Sequence, residues 1–350
     1  MNGDNGKGRN LKRTGLIALG TLLGLFFLYL SFRDISWREF VNGLREMRPV
    51  YFLPAVIVAV LAQLVRALRF KIIVSPFCSL DFKSSWDIIN IWAGASMLAP
   101  ARLGELVRPY LLVGRGASFS SSFGAVLVER FFDLSGLLVL TAVVLWKTPQ
   151  VPPVYSSVGK ALLLMIIAGY ALILLILARR DTAQSIVEKM LSWLPAKAAS
   201  FLGGIFRRLI DGFGIMASFK QALLIFVYSV LLWTVFSFLT YLFLLAFSID
   251  APFLVAVTIQ VFICFWVALP SAPGFIGTFH AAGRYALALF GIHAVVAVSF
   301  ATVYHLFSLL SCLSLATFSY LTSNFRFDHV MIEGRLKSRQ HEDLQVRVER

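Results

Sequence analysis

Residues 98–109 read LAPARLGELVRP and interrupt the apolar stretch 84–113 at its centre with proline, glycine and charged residues. Residues 270–277, PSAPGFIG, interrupt the apolar stretch 252–290 in a similar way. Each half is roughly 12–16 residues long, shorter than the roughly 20 residues that an α-helix needs to cross a bilayer. Broken backbone at membrane depth persists only where protein or water satisfies its polar groups. The two stretches therefore predict re-entrant hairpins that face a cavity.

The composition around these breaks is that of a membrane protein. Of the 350 residues, 59% are hydrophobic and 14% are charged, whereas an average soluble domain is about 25% charged. This excludes a disordered chain and an ordinary soluble globule, which could not cover its surface with so few ionic groups. Six further apolar stretches are long enough to cross a bilayer alone; they cover about residues 15–32, 50–68, 122–146, 160–178, 221–247 and 294–323.

The basic residues predict the orientation of this bundle. The net charge is +14, and the basic residues lie beside apolar stretches, where they contact lipid headgroups rather than nucleic acid. Residues 1–13 and the amphipathic segment 181–220 are rich in lysine and arginine. The positive-inside rule predicts that these segments and the polar tail 324–350 are cytoplasmic, flanking a transmembrane domain of residues 14–323 in the inner (plasma) membrane.

The predicted fold is an all-α polytopic membrane protein with about six full transmembrane helices and two re-entrant hairpins. On this layout the hairpin of residues 84–113 enters from the cytoplasm and that of residues 252–290 enters from outside. Two broken elements inserted from opposite faces are typical of a transporter with an inverted pseudo-repeat.

Charged residues within apolar surroundings are the first candidates for a functional site. A charge at the bilayer centre costs at least ~2.5–3.5 kcal/mol, so such side chains need partners or a wet cavity. The planar fork of arginine suits a phosphate better than lysine does. Two interpretations stay open: the arginines bind an anion and one acid takes up protons, or the charges form a buried network that pins the hairpin. The candidates are Arg102, Glu105, Arg108, Glu129, Arg130 and Asp133.

The second break adds two candidates, His280 and Arg284, which lie one helical turn apart just after it. His280 is either a hydrogen-bonded core residue or a member of the site. No spacing typical of a metal site, a phosphate loop or a catalytic triad occurs, so we expect no catalytic residue, metal or cofactor. The residues that break the two hairpins are Pro100, Gly104, Pro270, Pro273, Gly274 and Gly277.

In their order along the chain these motifs resemble the lysylphosphatidylglycerol synthase transmembrane domain family, over about residues 14–323. The blocks are Arg66-x-x-Arg69, then Pro100-x-Arg102-x-Gly104-Glu105 with Glu129-Arg130-x-x-Asp133, and finally Pro270-x-x-Pro273-Gly274-x-x-Gly277. The resemblance is to stand-alone, flippase-like members without the soluble synthase domain, and it adds Arg66 and Arg69 to the candidate site. One position departs from the family pattern, because His280 stands where a glutamate is common.

The resemblance implies a transporter rather than an enzyme. We expect it to move an anionic or aminoacylated phospholipid, or a lipid-linked envelope precursor, between leaflets. Membrane phospholipids, and a separate lipid-modifying enzyme, are then its partners. Two alternatives stay open: an intramembrane lipid-headgroup or lipid-linked sugar transferase, and a non-catalytic membrane partner of a separate lipid synthase.

Overall fold

The computed structural model describes residues 20–99, 104–147, 153–213, 218–268 and 271–323, and all regular structure in these ranges is helical. Pro100, Arg102, Pro270 and the two predicted cytoplasmic ends, residues 1–13 and 324–350, lie outside the described residues. In chain order the α-helices are α1 Gly20–Phe32, α2 Trp37–Arg45, α3 Phe52–Val74, α4 Phe82–Leu98, α5 Val107–Val113, α6 Phe119–Lys147, α7 Pro153–Ala178, α8 Arg180–Leu191, α9 Ala196–Phe213, α10 Phe219–Ala246, α11 Phe253–Ala268, α12 Thr278–Ala288 and α13 Ala294–Thr322.

Within the described ranges, three helical segments are long and apolar enough to cross a membrane, by length and composition: Pro49–Val74, which includes α3, and the helices α10 and α13. Helices α1 and α11 are apolar but shorter. Helix α6 has 29 residues and carries three charged side chains near its middle. The predicted all-helical membrane fold is confirmed at this level, whereas the count of six crossing helices and the insertion of the hairpins in a bilayer stay predictions.

The first broken stretch folds as two unequal arms, α4 with 17 residues and α5 with seven. The chain returns to the end from which it started, since the sulfur of Cys78, before α4, lies 3.9 Å from the carbonyl oxygen of Arg115, after α5. A Cβ atom on Gly104 would lie 2.4 Å from the Cα atom of Ser96, so glycine lets this turn pack directly on α4. Residues 104–106 form a 3₁₀ turn, and the second arm begins at Val107.

The second broken stretch consists of α11, a 3₁₀ turn at Pro273–Phe275, and α12. Gly274 and Gly277 have φ values of 69° and 87°, a region that glycine enters without a steric penalty. The carbonyl oxygen of Gly24 on α1 lies only 1.8 Å from the place where a Cβ atom on Gly277 would be. Helix α1 therefore packs backbone to backbone on this break.

The two breaks contact each other inside the bundle. The carbonyl oxygen of Met97, near the end of α4, lies 3.6 Å from the Cβ position of Gly274. Helix α4 also packs against the Pro273–Phe275 turn. The end of one arm of the first hairpin therefore meets the tip of the second hairpin.

Helices α3 to α6 and α10 to α13 have corresponding neighbours. Helices α3 and α10 are antiparallel, since Phe52 contacts Phe243 at one end and Arg69 hydrogen-bonds Ser229 towards the other. The hairpins that follow them therefore start at opposite ends of the bundle. Helix α4 packs on α13, and α11 packs correspondingly on α6. One pair breaks this correspondence: α6 packs along α10, whereas the backbones of α3 and α13 stay further apart and their side chains meet at Phe52 and Phe307.

Two amphipathic regions pack on this bundle, with α2 against α13 and α9 against α6. Helix α2 begins at a capping box, in which Ser36 and Glu39 satisfy each other's backbone N–H groups. The predicted amphipathic segment 181–220 contains most of α8 and all of α9. The exposed ion pair between Arg207 and Glu188 joins these two helices.

Candidate functional site

Six charged side chains from α3, the first hairpin and α6 form a closed ring of alternating sign. Each arginine binds two carboxylates, and each carboxylate accepts from two arginines. Around the ring they are Arg69, Glu129, Arg108, Glu105, Arg130 and Asp133. Because three positive charges face three negative charges, the ring is neutral and its members are paired within it.

The ring has a buried side and an exposed side. The side chains of Arg69, Arg108 and Glu129 have no exposed surface, whereas Glu105 is 30% and Arg130 is 41% exposed. Removing one partner from a buried ion pair is strongly destabilising, because the other charge stays buried without compensation. The buried half therefore ties α3, α5 and α6 together, and the exposed half joins Glu105, in the turn of the first hairpin, to Arg130 on α6.

The aromatic ring of Trp92 on α4 lies against three arginines. The guanidinium carbon of Arg108 is 3.9 Å from its centroid, and those of Arg66 and Arg130 are 5.3 Å and 5.5 Å away. Cations over the face of tryptophan are attracted by its quadrupole. Trp92 thus connects the charged ring to Arg66, which is not a member of it.

Arg66 makes a different set of contacts from the arginines of the ring. Its Nη1 atom donates to Oε1 of Gln63 at 2.7 Å, and its guanidinium also lies 5.1 Å from the ring centre of Phe236. Gln63 donates to Asn90 at 3.0 Å, and Asn90 donates to Ser319 at 3.2 Å. No carboxylate of the described residues lies within 4.0 Å of Arg66. Arg66 is therefore held in place without a counter-ion among them.

Arg66 lies on the wall of a cavity of about 270 Å³ between the two hairpins. Met97 of the first hairpin and Phe275 and Phe279 of the second also line it. Its described lining includes no acidic residue. The other polar side chains on its wall are Gln63, Gln260, Tyr304, His305, Ser308 and Ser311.

An apolar groove of about 620 Å³ adjoins this cavity. Helices α3 and α13 form its walls where their backbones stay apart, and Leu44 and Met47 also line it. Cavity and groove share the lining residues Ala59, Phe307, Ser311 and Leu315. A molecule with a polar end and an apolar chain could therefore occupy both.

The two histidines near the second break have different surroundings. His305 lines the cavity, and its Nε2 atom lies 2.6 Å from the carbonyl oxygen of Gly274, which can only accept, so this nitrogen carries the proton. The ring of His280 is buried 5.1 Å from that of His305, and its Nδ1 atom has no partner among the described residues. His280 contacts the cavity residue His305 without lining the cavity itself.

Arg284 points away from the cavity. It donates to the carbonyl oxygens of Leu30 and Ser31 at 2.7 Å each and to Asp34 at 2.9 Å. The hydrogen bond from Arg284 lowers the pKa of the Asp34 carboxyl below its usual value. The geometry places Arg284 where it holds the end of α1 against α12.

Seven of the ten candidate site residues lie together, namely the six ring members and Arg66. Arg102 lies outside the described residues, and His280 and Arg284 stand apart from the ring. Sequence reasoning missed the roles of Gln63 and Trp92, although Gln63 stands one helical turn before Arg66 in an apolar stretch. It also did not include His305 among the candidates. Within the described part of the chain, no group of three His, Cys, Asp or Glu residues could hold a metal ion.

A family model described as "Lysylphosphatidylglycerol synthase TM region" matches residues 17–316. These residues include every member of the charged ring and all the described lining of the cavity and the groove. No curated protein matches the chain.

Proposed function

The chain belongs to the lysylphosphatidylglycerol synthase transmembrane family, and we propose that it moves a phospholipid between the two leaflets of a membrane. The observation that carries this proposal is the continuity of a cavity, whose mostly apolar wall carries Arg66 and a few polar side chains, with an apolar groove. A phospholipid has the same division, with a polar headgroup and apolar chains. The headgroup would occupy the cavity while a chain lies between α3 and α13.

The proposal includes the layout predicted from the sequence, in which about six helices cross the inner (plasma) membrane, both termini are cytoplasmic, and the hairpins enter from opposite faces. Contact between Met97 and the Gly274 break brings the two hairpins together inside the bundle. In transporters with inverted repeats, substrate sites lie near the midplane, where broken helices from the two repeats meet.

Two corresponding pairs of helices pack differently, and this difference supplies a route for alternating access. In this correspondence α3 is the counterpart of α10, and α6 is the counterpart of α13. The pair α3 and α13 therefore corresponds to the pair α10 and α6. The groove opens between α3 and α13, whereas α10 and α6 pack closely on each other. If the two pairs exchanged their packing, the groove between α3 and α13 would close and a matching groove between α10 and α6 would open. Rocking of one repeat against the other produces this kind of exchange in transporters with inverted repeats.

Purified protein in liposomes tests the proposal. A chain-labelled phospholipid is bleached by dithionite only in the outer leaflet, so bleaching beyond that fraction measures translocation. We expect faster translocation than in protein-free liposomes. Ser314→Trp narrows the groove from an exposed position on α13 and slows translocation, whereas Leu321→Trp, exposed on the same helix outside the groove, does not. Translocation no faster than in protein-free liposomes would refute the proposal. Turnover of a lipid-linked donor without translocation would instead support the transferase alternative.

A further inference from the structure

We propose that the lipid bound in the cavity is anionic and not aminoacylated, with its phosphate on Arg66 and one acyl chain in the groove between α3 and α13. This inference rests on the proposed lipid translocation and names the substrate class of that site. Four observations carry it: the charge balance, the geometry of Arg66, the lining of the cavity and the shape of the groove.

The charge balance leaves Arg66 as a cation without a counter-ion among the described residues. Each of the three carboxylates of the neighbouring ring, Glu105, Glu129 and Asp133, already accepts from two arginines. With Arg66 added, the cluster carries a net charge of +1. An anion bound at Arg66 would balance it.

The geometry of Arg66 suits a phosphate. One of its donor groups is used by Gln63, and its flat faces lie near the rings of Trp92 and Phe236. No other hydrogen bond within the described part of the chain uses its remaining N–H groups. Because these contacts already fix the orientation of the guanidinium, little side-chain entropy is lost when it binds a ligand. Its planar set of N–H donors can bind two phosphate oxygens at once.

The lining of the cavity disfavours a cationic headgroup. An aminoacylated phosphatidylglycerol carries an ammonium group, which would enter a cavity that has an arginine and no acidic residue on its described wall. Like charges repel strongly where water is excluded. Residues 100–103 and 269–270, which lie outside the described ranges, contain Arg102 and no acid. These undescribed residues therefore add no counter-ion for an ammonium.

The groove distinguishes a lipid from a free phosphate. Its wall on α13 runs from Val303 to Leu315, which is roughly 18 Å of helix at 1.5 Å per residue. That length is close to half of the roughly 30 Å hydrocarbon thickness of a bilayer, the depth of a single leaflet. Because the groove joins the cavity through shared residues such as Phe307 and Ser311, one lipid fills both.

Native mass spectrometry of the full chain in detergent tests the inference with phosphatidylglycerol and lysyl-phosphatidylglycerol that have identical acyl chains. We expect retention of phosphatidylglycerol to exceed that of the lysyl form about tenfold or more, the scale of one charge-assisted hydrogen bond. Arg66→Gln removes this preference. Arg66→Lys, which keeps the charge, retains part of it. Arg38→Gln, an exposed control on α2, leaves the preference unchanged.

Two outcomes would overturn the inference: equal or greater retention of the lysyl form, or an Arg66→Gln variant that retains phosphatidylglycerol as the wild type does. Displacement of phosphatidylglycerol by an equal concentration of inorganic phosphate would also overturn it, because the groove would then contribute nothing. These results are separable from the proposed function. If the protein preferred to bind and translocate the lysyl form, the proposed lipid translocation would stand and only the inference would be refuted. If it bound phosphatidylglycerol as expected but did not translocate it, the binding preference would stand and the proposed translocation would be refuted.

Discussion

The guanidinium of Arg108 lies 3.9 Å from the ring centre of Trp92, so that the short arm of the first hairpin rests on its long arm. The same guanidinium donates to Glu105 and to the buried Glu129. One side chain thus connects α4, the turn at residues 104–106 and α6. The hairpin keeps its position through this contact, although α5 has only seven residues.

Glu129→Gln should strongly destabilise the protein. The change leaves Arg69 and Arg108, both fully buried, with one carboxylate each. We expect the free energy of unfolding to fall by about 3–5 kcal/mol, the range for breaking a buried ion pair. Denaturant unfolding in detergent measures it. Glu188→Gln removes an exposed ion pair with Arg207 and should change stability by less than about 1 kcal/mol. Equal effects of the two changes would contradict the structural role of the ring.

The exposed side of the ring should tolerate substitution better than its buried side. Arg130 is 41% exposed, whereas Arg108 is fully buried. Water can replace the contacts of a lost exposed charge but cannot reach the buried carboxylate that Arg108 leaves behind. Thermal unfolding of Arg130→Gln should therefore show a smaller fall in Tm than that of Arg108→Gln. The reverse order would show that the ring is not buried as described.

Gly277→Ala should prevent α1 from packing on the second break. The added Cβ atom would meet the carbonyl oxygen of Gly24 at 1.8 Å, and alanine is disfavoured at a φ of 87° by roughly 1–2 kcal/mol. We expect a sharp loss of folded protein in size-exclusion chromatography. Gly169→Ala on α7 is the control, because a Cβ atom there meets nothing within 4 Å and alanine favours a helix. Equal folded yields for both variants would contradict the contact between α1 and this break.

The contact between Asp34 and Arg284 should depend on pH only in the acidic range. Hydrogen bonding to Arg284 lowers the pKa of Asp34, so this carboxylate contributes stability that is present above its unfolded pKa and is lost as the pH falls through its folded pKa. Hydrogen exchange at the end of α1 should increase only below about pH 4, the usual pKa of aspartate. Asp34→Asn should remove this pH dependence. Arg284→Gln should speed exchange at every pH, since it also removes the bonds to the carbonyl oxygens of Leu30 and Ser31.

Some of these features could be predicted from the sequence because they are local. Proline and glycine mark both breaks, and the spacing of Glu129 and Asp133 places their carboxylates on one helical face. Closure of the ring could not be predicted, because Arg69 comes from 60 residues earlier in the chain than Glu129. The role of Arg66 was equally hidden. It depends on which arginine is left without a carboxylate once α3, α5 and α6 have packed, and spacing along the chain does not contain that information.

The most direct test of the account is phosphatidylglycerol translocation per folded molecule in liposomes that contain the wild type, Arg66→Gln or Arg38→Gln. Arg66 belongs to no salt bridge in the described part of the chain, so Arg66→Gln should fold with a Tm close to that of the wild type. We predict that it loses translocation about tenfold or more, on the scale of one charge-assisted hydrogen bond, while Arg38→Gln translocates as the wild type does. Full translocation by folded Arg66→Gln would contradict the account.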